Sequence, residues 1–559
     1  MSILPVPATG NAAARTTTTT IMISYRLTMH TQRFKPDFCR QLQQAIRSLP
    51  LCAAILTTGC AMIGPDFKTP DAQVTDEWTD GDSAGISRQP SVGSEWWKIF
   101  NDPVLNNLIQ NAYEQNLSLQ IAGLRVLEAR AQLGIVTGSL YPQSQSVSGN
   151  YSYNRGKETP FTDKYFSQAG TGFDAAWELD FWGKFRRGVE SADANLLANI
   201  ASYDDVLVTL TAEVARNYVL IRTLEERLRL AEENIKIQAR SLELTTNQYE
   251  TGAVTELDKQ QATTQLRNTQ ASVPNLRISL EQAQHALSIL MGMPPQDLDD
   301  LLGSGTDIPT APAEVAAGIP ADLLRRRPDI KQAELQAAAQ SAQIGVADAE
   351  LLPSFTLLGS IGWNVNDAGN DDLGDLFDSS NLAFSTGPSF QWKILNYGRL
   401  KNQVRVQDAR FQQLLANYEN VVLNAAGEVK NAISSFLHSQ VEASYRKESA
   451  DAAKRSTDLS MLQYTEGVSR YQSVLDSTRS LASQQDAYAV TRGNIATSAI
   501  ALYKALGGGW EVRLGNDFVP ADVREQMQER TDWGELLETT GDIAPERQPE
   551  TDLWRSPDW

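Results

Sequence analysis

The 559-residue sequence is poor in the side chains that build metal centres and disulfide frameworks. It has only three cysteines and three histidines, namely Cys39, Cys52, Cys60, His30, His285 and His438. Cys/His zinc sites and disulfide scaffolds need more thiols and imidazoles, at close spacing. His285 and His438 lie inside helical patterns, where a packing or surface role is the ordinary one. These counts predict no bound metal and no disulfide framework.

Basic residues are also scarce relative to acidic ones. The chain has 49 Lys and Arg against 68 Asp and Glu, which gives a net charge of −19. Residues 1–59 contribute six basic residues and one acidic residue, so the remainder of the chain carries −24. Proteins that bind nucleic acids neutralise phosphates with clustered Lys and Arg. We therefore expect no nucleic-acid partner.

Two further absences limit the possible functions. The sequence has no G-x-x-x-x-G-K-[ST] phosphate loop and no candidate nucleophile beside a base, so we expect neither an enzyme nor a cofactor. After residue 60 there is no run of eighteen apolar residues, the length that a membrane-spanning helix needs. Insertion into a membrane would then have to use β-strands.

One long unit occurs twice in the sequence. Adding 215 to the residue number carries Trp182–Gly292 onto Tyr397–Gly507 without a gap, and upstream of this stretch the offset becomes 211. The matched residues include Gly252 and Gly467, Gly292 and Gly507, Gly134 and Gly345, and Pro142 and Pro353. A repeat of this length is a duplicated structural unit rather than a short solenoid motif. We therefore expect one architecture built from two similar halves.

Each half is predicted to contain a helix, a strand hairpin, a long helix and a return helix. In the first half these are 104–137, strands 144–153 and 170–181 joined by a polar loop, 189–251 and 254–291. In the second half they are 328–350, strands 354–363 and 382–395, 400–464 and 468–506. A long helix of roughly 65 residues spans about 100 Å at 1.5 Å per residue. Sustained three-four spacing of its apolar residues indicates coiled-coil packing.

The residues outside the repeats divide the chain further. An apolar run at 49–56 followed by Thr57-Thr58-Gly59-Cys60 resembles a bacterial lipoprotein signal. Residues 1–59 are therefore predicted as a leader and Cys60 as the lipid attachment site. We expect a lipid-anchored arm at 60–101, the first repeat at 102–292, an equatorial linker at 293–320, the second repeat at 321–507 and an acidic C-terminal tail at 508–559.

The predicted fold class is α+β and mainly α, with a long coiled-coil helical part and an antiparallel β part of four strands per chain. Two hairpins cannot close a barrel alone. Strand edges that face lipid must all be paired, because the bilayer offers no hydrogen-bond partners. Several chains must therefore pool their strands.

Four motifs occur in order on this duplicated frame: Cys60 with Gly64-Pro65-Asp66-Phe67, Glu178 to Lys184, Tyr249 to Asp258, and Gly467 to Arg479. Together they resemble the outer-membrane factor family, the TolC-like and OprM-like exit ducts, in particular its NodT-type lipoprotein branch. The resemblance implies a homotrimer whose twelve strands form a barrel in the outer-membrane lipid of a Gram-negative bacterium, above a helical barrel in the periplasm. It also implies two partners, a periplasmic adaptor protein and an inner-membrane pump of the resistance-nodulation-division type.

The residues expected to control passage lie at the two helix turns. Gly252 and Gly467 suit the left-handed cap that ends each long helix. By resemblance, the second turn forms a narrow periplasmic mouth, where Asp476 matches an acidic ring and Gln472 a constriction position. Three copies of Asp476 around an axis would make a negative filter for cations.

By the same resemblance, Asp258 and Tyr464 hydrogen-bond across neighbouring helix pairs and close the duct at rest. Arg479 lies one helical turn from Asp476 and could pair with it within or between chains, and Arg470 is a further latch candidate. The alternative is that the charged residues are solvated positions on a helix face and that Tyr464 packs in the coiled coil. Location at a turn favours function for Asp476 and Tyr464.

Together these features predict a passive outer-membrane channel of a tripartite efflux system that exports drugs or other small toxic compounds. A type I protein-secretion duct is an alternative, although the lipoprotein leader favours efflux. A lipid-anchored coiled-coil protein without a pore is another alternative, and the strand hairpins argue against it.

Overall fold

The computed structural model describes residues 62–71, 86–87, 94–303, 305, 307–316, 326–367 and 372–537. The predicted leader and the predicted lipid attachment site Cys60 lie outside these ranges, as do residues 538–559 of the tail. Within them the chain is mainly helical and carries a four-stranded antiparallel sheet and a short parallel strand pair. The predicted fold class, α+β and mainly α, is confirmed.

The first repeat runs from two short helices through a hairpin to two long helices. After the two-residue strand β1 (Ile86–Ser87) its elements are α1 (Pro103–Gln115), α2 (Leu117–Gly138), β2 (Ser144–Thr159), β3 (Thr162–Leu179), α3 (Lys184–Glu250) and α4 (Glu256–Leu290). Two short elements follow, α5 (Asp299–Leu302) and β4 (Val315–Ala316), and β4 pairs in parallel with β1.

The second repeat has the same order of elements. They are α6 (Pro328–Ala349), β5 (Ser354–Asn366), β6 (Leu382–Gln391), α7 (Arg399–Thr465) and α8 (Tyr471–Ala505). A last helix, α9 (Ala521–Arg530), lies between 3-10 turns at Trp510–Arg513 and Gly534–Leu537. None of the helices in the described ranges is long and apolar enough to cross a membrane.

The duplication read from the sequence holds in the structure. Helices α3 and α7 have 67 residues each, α4 and α8 have 35 each, and all four begin and end at positions 215 apart. The glycines that bound them have matching positive φ angles: Gly183 and Gly398 at 78° and 82°, Gly252 and Gly467 at 74° and 73°, Gly292 and Gly507 at 69° and 70°. Because only glycine adopts this conformation without steric cost, these positions set the ends of the helices.

The single helix predicted at 104–137 is wrong, because the chain breaks at Asn116. The Asn116 side-chain oxygen accepts a hydrogen bond from the Leu119 N–H at 2.9 Å and so caps α2. Its Nδ2 donates to the Leu290 carbonyl at 2.8 Å, at the end of α4. The break therefore fastens the start of α2 to the middle of the molecule.

The polar loop predicted inside the first hairpin is also wrong, because strand continues through it. Strand β2 extends to Thr159 and β3 begins at Thr162, so only two residues connect them. Cross-strand pairs hold the extension together: the rings of Tyr153 and Tyr165 stack at 5.9 Å, and Arg155 pairs with Asp163. In the second hairpin the strands end and begin close to the predicted positions, although β6 stops at Gln391.

The four long strands form one sheet in the order β2-β3-β5-β6, with every neighbouring pair antiparallel. Among the described strands, the two outer ones, β2 and β6, have one neighbour each. Their side chains include large apolar groups in contact with solvent, such as Val147, which is 80% exposed, and Phe384, which is 78% exposed. One chain therefore leaves two open sheet edges and an exposed apolar face.

The apolar core follows the part of α3 nearest the sheet, between Val189 and Leu224, where α3 packs between α2 and α6. Near the middle of the molecule, Trp96 is fully buried and its ring stacks on Tyr503 at 5.5 Å. Helix α7 differs from its repeat partner, since its main helical neighbours are only α6 and α8. Consequently, no residue of α7 between 401 and 417 is buried, and most are exposed.

The C-terminal segment, for which the sequence indicates no role, is folded onto this core up to Leu537. Arg513 and Asp204 are both 0% exposed and form a two-pronged ion pair, Nε to Oδ1 at 2.6 Å and Nη2 to Oδ2 at 3.2 Å. Phe518 packs edge-on against Tyr203 at 5.2 Å. The pKa of the Asp204 carboxyl is raised to about 6. Burial is the main cause, and the hydrogen bond from Arg513 acts in the opposite direction. The pair joins α3 to a residue 309 positions away.

Replacing Asp204 should therefore destabilise the whole protein. Asp204→Asn removes the carboxylate partner of a buried guanidinium, which costs about 3–5 kcal/mol. The matched control is Asp517→Asn, which breaks the half-exposed Arg524–Asp517 pair and should cost no more than about 1 kcal/mol. Thermal unfolding of the detergent-solubilised protein, followed by circular dichroism, measures both, and equal losses would contradict the importance of the buried pair.

Candidate gate at the helix turns

Two tight turns close the two long helix pairs at the end away from the sheet. In the first, the N–H groups of Gly252 and Ala253 donate back to the carbonyls of Tyr249 and Gln248 at 2.9 and 2.8 Å. In the second, Gly467 and Val468 make the equivalent bonds at 3.0 and 2.8 Å. A Cβ on either glycine would meet no atom within 4 Å. The left-handed φ angle, rather than lack of space, therefore requires glycine.

The helices that leave these turns are capped differently. Thr255 and Asp258 form a capping box at the start of α4: the Asp258 carboxylate accepts from the Thr255 N–H at 3.0 Å and from its hydroxyl at 2.7 Å. The equivalent positions on α8 are Arg470 and Ser473, and Arg470 gives no side-chain cap. A capping interaction contributes about 1 kcal/mol to a helix end. The second turn is thus the less firmly fixed of the two.

Tyr464 lies in a small apolar cluster at the turns. It is 3% exposed, its ring meets Tyr471 edge-on at 5.5 Å, and Val474 and Leu475 complete the cluster with Ala262 of α4. Its hydroxyl donates to Thr245 Oγ1 at 3.5 Å. Burial raises the pKa of the Tyr464 phenol, with a smaller contribution in the same direction from the Asp258 charge.

Within one chain, therefore, the predicted latch pair does not form a hydrogen bond. Asp258 caps its own helix, and Tyr464 donates to Thr245 instead. The two residues do lie close enough for the carboxylate charge to act on the phenol. Bonding between neighbouring chains stays a prediction.

Asp476 and Gln472 lie together on the exposed face of α8. The Gln472 Nε2 donates to both carboxylate oxygens of Asp476, at 2.9 and 3.0 Å. Arg479 turns the other way and donates to Gln265 Oε1 of α4 at 2.9 Å. The predicted Arg479–Asp476 pair is thus absent from this chain, and the Asp476 charge is held by a neutral amide. Arg470 is exposed at the N-cap of α8.

A line of buried polar residues on α3 was not predicted. The apolar residues predicted to continue along α3 are only half-buried after Leu224, at positions such as Ile235 and Leu242. The fully buried positions there are polar, at spacings of four, three and four: Asn234, Gln238, Ser241 and Thr245. This polar line has the helical period, so the sequence carries its signal.

The polar line faces helices of the second repeat. Asn234 Nδ2 donates to Gln485 Oε1 of α8 at 2.8 Å, and Thr245 receives the Tyr464 hydroxyl of α7. The Gln238 amide has no hydrogen-bond partner among the described residues. A buried polar contact contributes less than apolar packing, because desolvation offsets most of the hydrogen-bond energy. The two helix pairs are accordingly joined more weakly near the turns than near the sheet.

Comparison with known proteins gives the context for this geometry. The profile of a family described as "Outer membrane efflux protein" matches residues 108–293 and 319–508, which together include both turns and nearly all of both repeats. The chain belongs to the outer membrane efflux protein family. Membership places it in the outer membrane, in a family of efflux proteins.

Individual members of the outer membrane efflux protein family match nearly end to end. Nodulation protein T of Rhizobium leguminosarum bv. trifolii is 31% identical over 82% of this chain and 96% of its own length. The toluene efflux pump outer membrane protein TtgC of Pseudomonas putida is 30% identical over 86% and 99%. The solved outer-membrane channel OprN is 32% identical, covers 80% of this chain and 99% of its own, and superposes with a TM-score of 0.75.

The cluster at the turns predicts an effect on the resting state. Asp258→Ala combined with Tyr464→Phe removes the capping box and the bond to Thr245, and so should raise the resting conductance in a planar bilayer. The matched control pairs Asp258→Ala with Tyr249→Phe, since Tyr249 occupies the equivalent repeat position but is 38% exposed. Equal conductance for the two double variants would exclude Tyr464 from the latch.

Proposed function

We propose that this protein is the passive outer-membrane exit channel of a tripartite efflux system. Small toxic compounds such as drugs or solvents leave the periplasm through it, and a periplasmic adaptor and an inner-membrane pump of the resistance-nodulation-division type supply delivery and energy. One observation carries the proposal: a single chain joins a sheet with two open edges to two 67-residue helices that end in glycine turns. The relative named for toluene efflux supports a small, apolar cargo.

The length of the helices fits this role. At 1.5 Å per residue, 67 residues span about 100 Å, far more than a globular core needs. The open edges of the sheet fit it as well, because a sheet surrounded by lipid must pair every edge. A lipid-anchored coiled-coil rod without a pore would need the long helices but not the sheet.

We infer that the missing neighbours are further copies of this chain, arranged head to tail as a homotrimer. Inside the chain, a Cβ on Gly345 of α6 in the second repeat would lie 2.9 Å from the Arg187 side chain of α3 in the first. The repeat offsets carry this contact to Gly134 of α2 and Asn402 of α7. Asn402 is exposed, and a Cβ on Gly134 would meet no atom within 4 Å. Gly134 and Asn402 are thus each available for contact with a neighbouring chain.

A second pair of positions supports the same arrangement. The Trp182 indole N–H donates to the Pro353 carbonyl at 2.8 Å, which joins the two repeats at the base of the sheet. The offsets carry this bond to Tyr397 and Pro142, and Tyr397 is 98% exposed. A head-to-tail interface closes into a ring when its rotation divides the circle. In this ring β6 of one chain pairs with β2 of the next, and no sheet edge is left open.

Paired cysteines test this interface. Gly134→Cys with Asn402→Cys should give covalent dimers and trimers on oxidation, because the equivalent positions inside the chain approach within disulfide range. The control pair is Asn402→Cys with Gly138→Cys, one helical turn away on α2, which should cross-link far less. Products no larger than a monomer, on a denaturing gel without reductant, would contradict the head-to-tail ring.

The proposal also assigns a charge filter to the second turn. Three Asp476 side chains around the axis focus negative potential in the mouth, and within the chain Arg479 bonds to Gln265 rather than neutralising them. A cation that enters the mouth would be attracted to this ring of carboxylates. The wild-type protein should therefore show discrete conductance steps in a planar bilayer that divalent or trivalent cations block.

Asp476→Asn should weaken that block by about tenfold or more, since it removes one charge per chain from a shared constriction. The control is Glu256→Gln, which removes an exposed charge near the first turn and should leave the block unchanged. Block of equal strength in Asp476→Asn would place the filter elsewhere. A wild-type protein that produces no conductance steps would overturn the channel itself.

A further inference from the structure

Residues 62–67 lie in a groove between the start of α3 and the end of α6, and one buried side chain binds them. Arg187 of α3 is 2% exposed. Its Nε donates to the Ile63 carbonyl at 3.0 Å, and its Nη2 donates to the Gly64 carbonyl at 3.1 Å and to the Asp66 carboxylate at 2.8 Å. A guanidinium presents several donors in a fixed fork, which suits three acceptors on one short segment.

Glycines let the segment approach this closely. A Cβ on Gly64 would lie 2.4 Å from the Gly345 Cα, and a Cβ on Gly183 would lie 2.9 Å from the Met62 Cα. The Ile63 N–H also donates to the Trp182 carbonyl at 3.1 Å, at the junction of the sheet and α3. The backbone of the arm thus rests directly on the backbone of the body.

The arm then crosses from one repeat towards the other. Phe67 meets Phe411 of α7 edge-on at 6.4 Å, and the Thr69 hydroxyl donates to Glu334 of α6 at 2.7 Å. Through Arg187 and these contacts, the same ten residues touch α3, α6 and α7. The arm therefore joins the two repeats at the end nearest the sheet.

The equivalent groove lies between α2 of one chain and α7 of its neighbour in the proposed ring, and it lacks the binding residue. The repeat offsets carry Gly345 to Gly134 and Arg187 to Asn402, so the glycine is kept while the guanidinium is replaced by a neutral amide. The Asn402 side-chain oxygen instead accepts a bond from Arg405 of its own helix at 3.1 Å. A single amide cannot supply three donors to an arm.

We propose that Arg187 is a positioning residue that directs the N-terminal arm into the groove within its own chain and away from the equivalent groove that contains Asn402. The alternative groove exists only where a neighbouring chain completes it, so this part of the proposal rests on the proposed function. The docking of the arm requires only the contacts of Arg187.

Trypsin cleavage after Lys68, the one basic residue between 62 and 71, tests the docking. Full-length protein in detergent should be protected at this bond while the arm is docked. Arg187→Asn, which installs the residue of the second repeat, should be cleaved there at least about tenfold faster, because proteolysis follows the population of the opened segment. Mass spectrometry of the product identifies the cleavage site.

The matched control is Arg186→Asn. Arg186 is the adjacent buried arginine, but it bonds to Asp180 and not to the arm. A second variant, Asp66→Asn, weakens the contact from the arm side, where the side chain is 87% exposed and the fold is not at risk. Cleavage of Arg187→Asn and Asp66→Asn at the wild-type rate, or equal acceleration in Arg186→Asn, would overturn the proposal. Neither result depends on whether the protein conducts ions.

Discussion

The structure depends on one mismatch: two copies of the same unit have different numbers of neighbours within a chain. Helix α3 is enclosed by α2, α4, α6 and α8, while α7 has α6 and α8 as its main helical neighbours. The same sequence plan therefore yields a buried face in the first copy and an exposed one in the second. The sheet repeats the mismatch, since β3 and β5 pair inside the chain and β2 and β6 are left as edges. The proposed ring of several chains would cover both the exposed face of α7 and the sheet edges.

The helix bounds could be predicted because local signals set them. Glycines that need a positive φ stand at both ends of each long helix, and apolar spacing indicates the period between them. The break at Asn116 could not be predicted, because asparagine is tolerated inside a helix and the decisive bond goes to Leu290, far along the chain. The strand extension to Thr159 was missed because its residues are polar, although the aromatic alternation at Tyr151 and Tyr153 continues into it.

The candidate site divides in the same way. The turns at Gly252 and Gly467 were predicted from local chemistry, and Asp476 lies on the exposed face of α8. The partners were not found, since Arg479 reaches Gln265 and Tyr464 reaches Thr245 across sequence separations above 200 residues. The Thr255 and Asp258 spacing is itself a capping-box signature, so the sequence already offered a structural role for Asp258 beside the latch. The Arg513–Asp204 pair gave no local sign at all.

The strength of packing changes along the length of the molecule. Near the sheet, the arm held by Arg187 joins the repeats, and the middle is fixed by the fully buried Asp204–Arg513 pair and the stack of Trp96 on Tyr503. Towards the turns, the buried positions of α3 become polar, so separating the helix pairs there exposes groups that water can hydrate at little cost.

The second turn is the weakest point of this gradient. Helix α8 begins without the capping box that fixes α4, and it carries the exposed Asp476. Unwinding or displacing this end breaks the bond of Tyr464 to Thr245 and the small cluster around Val474, while the core between Val189 and Leu224 is untouched. Two arrangements of the tip can thus differ by only a few kcal/mol. On the proposed function, a partner shifts the tip towards one arrangement only if it binds that arrangement more tightly by a comparable free energy.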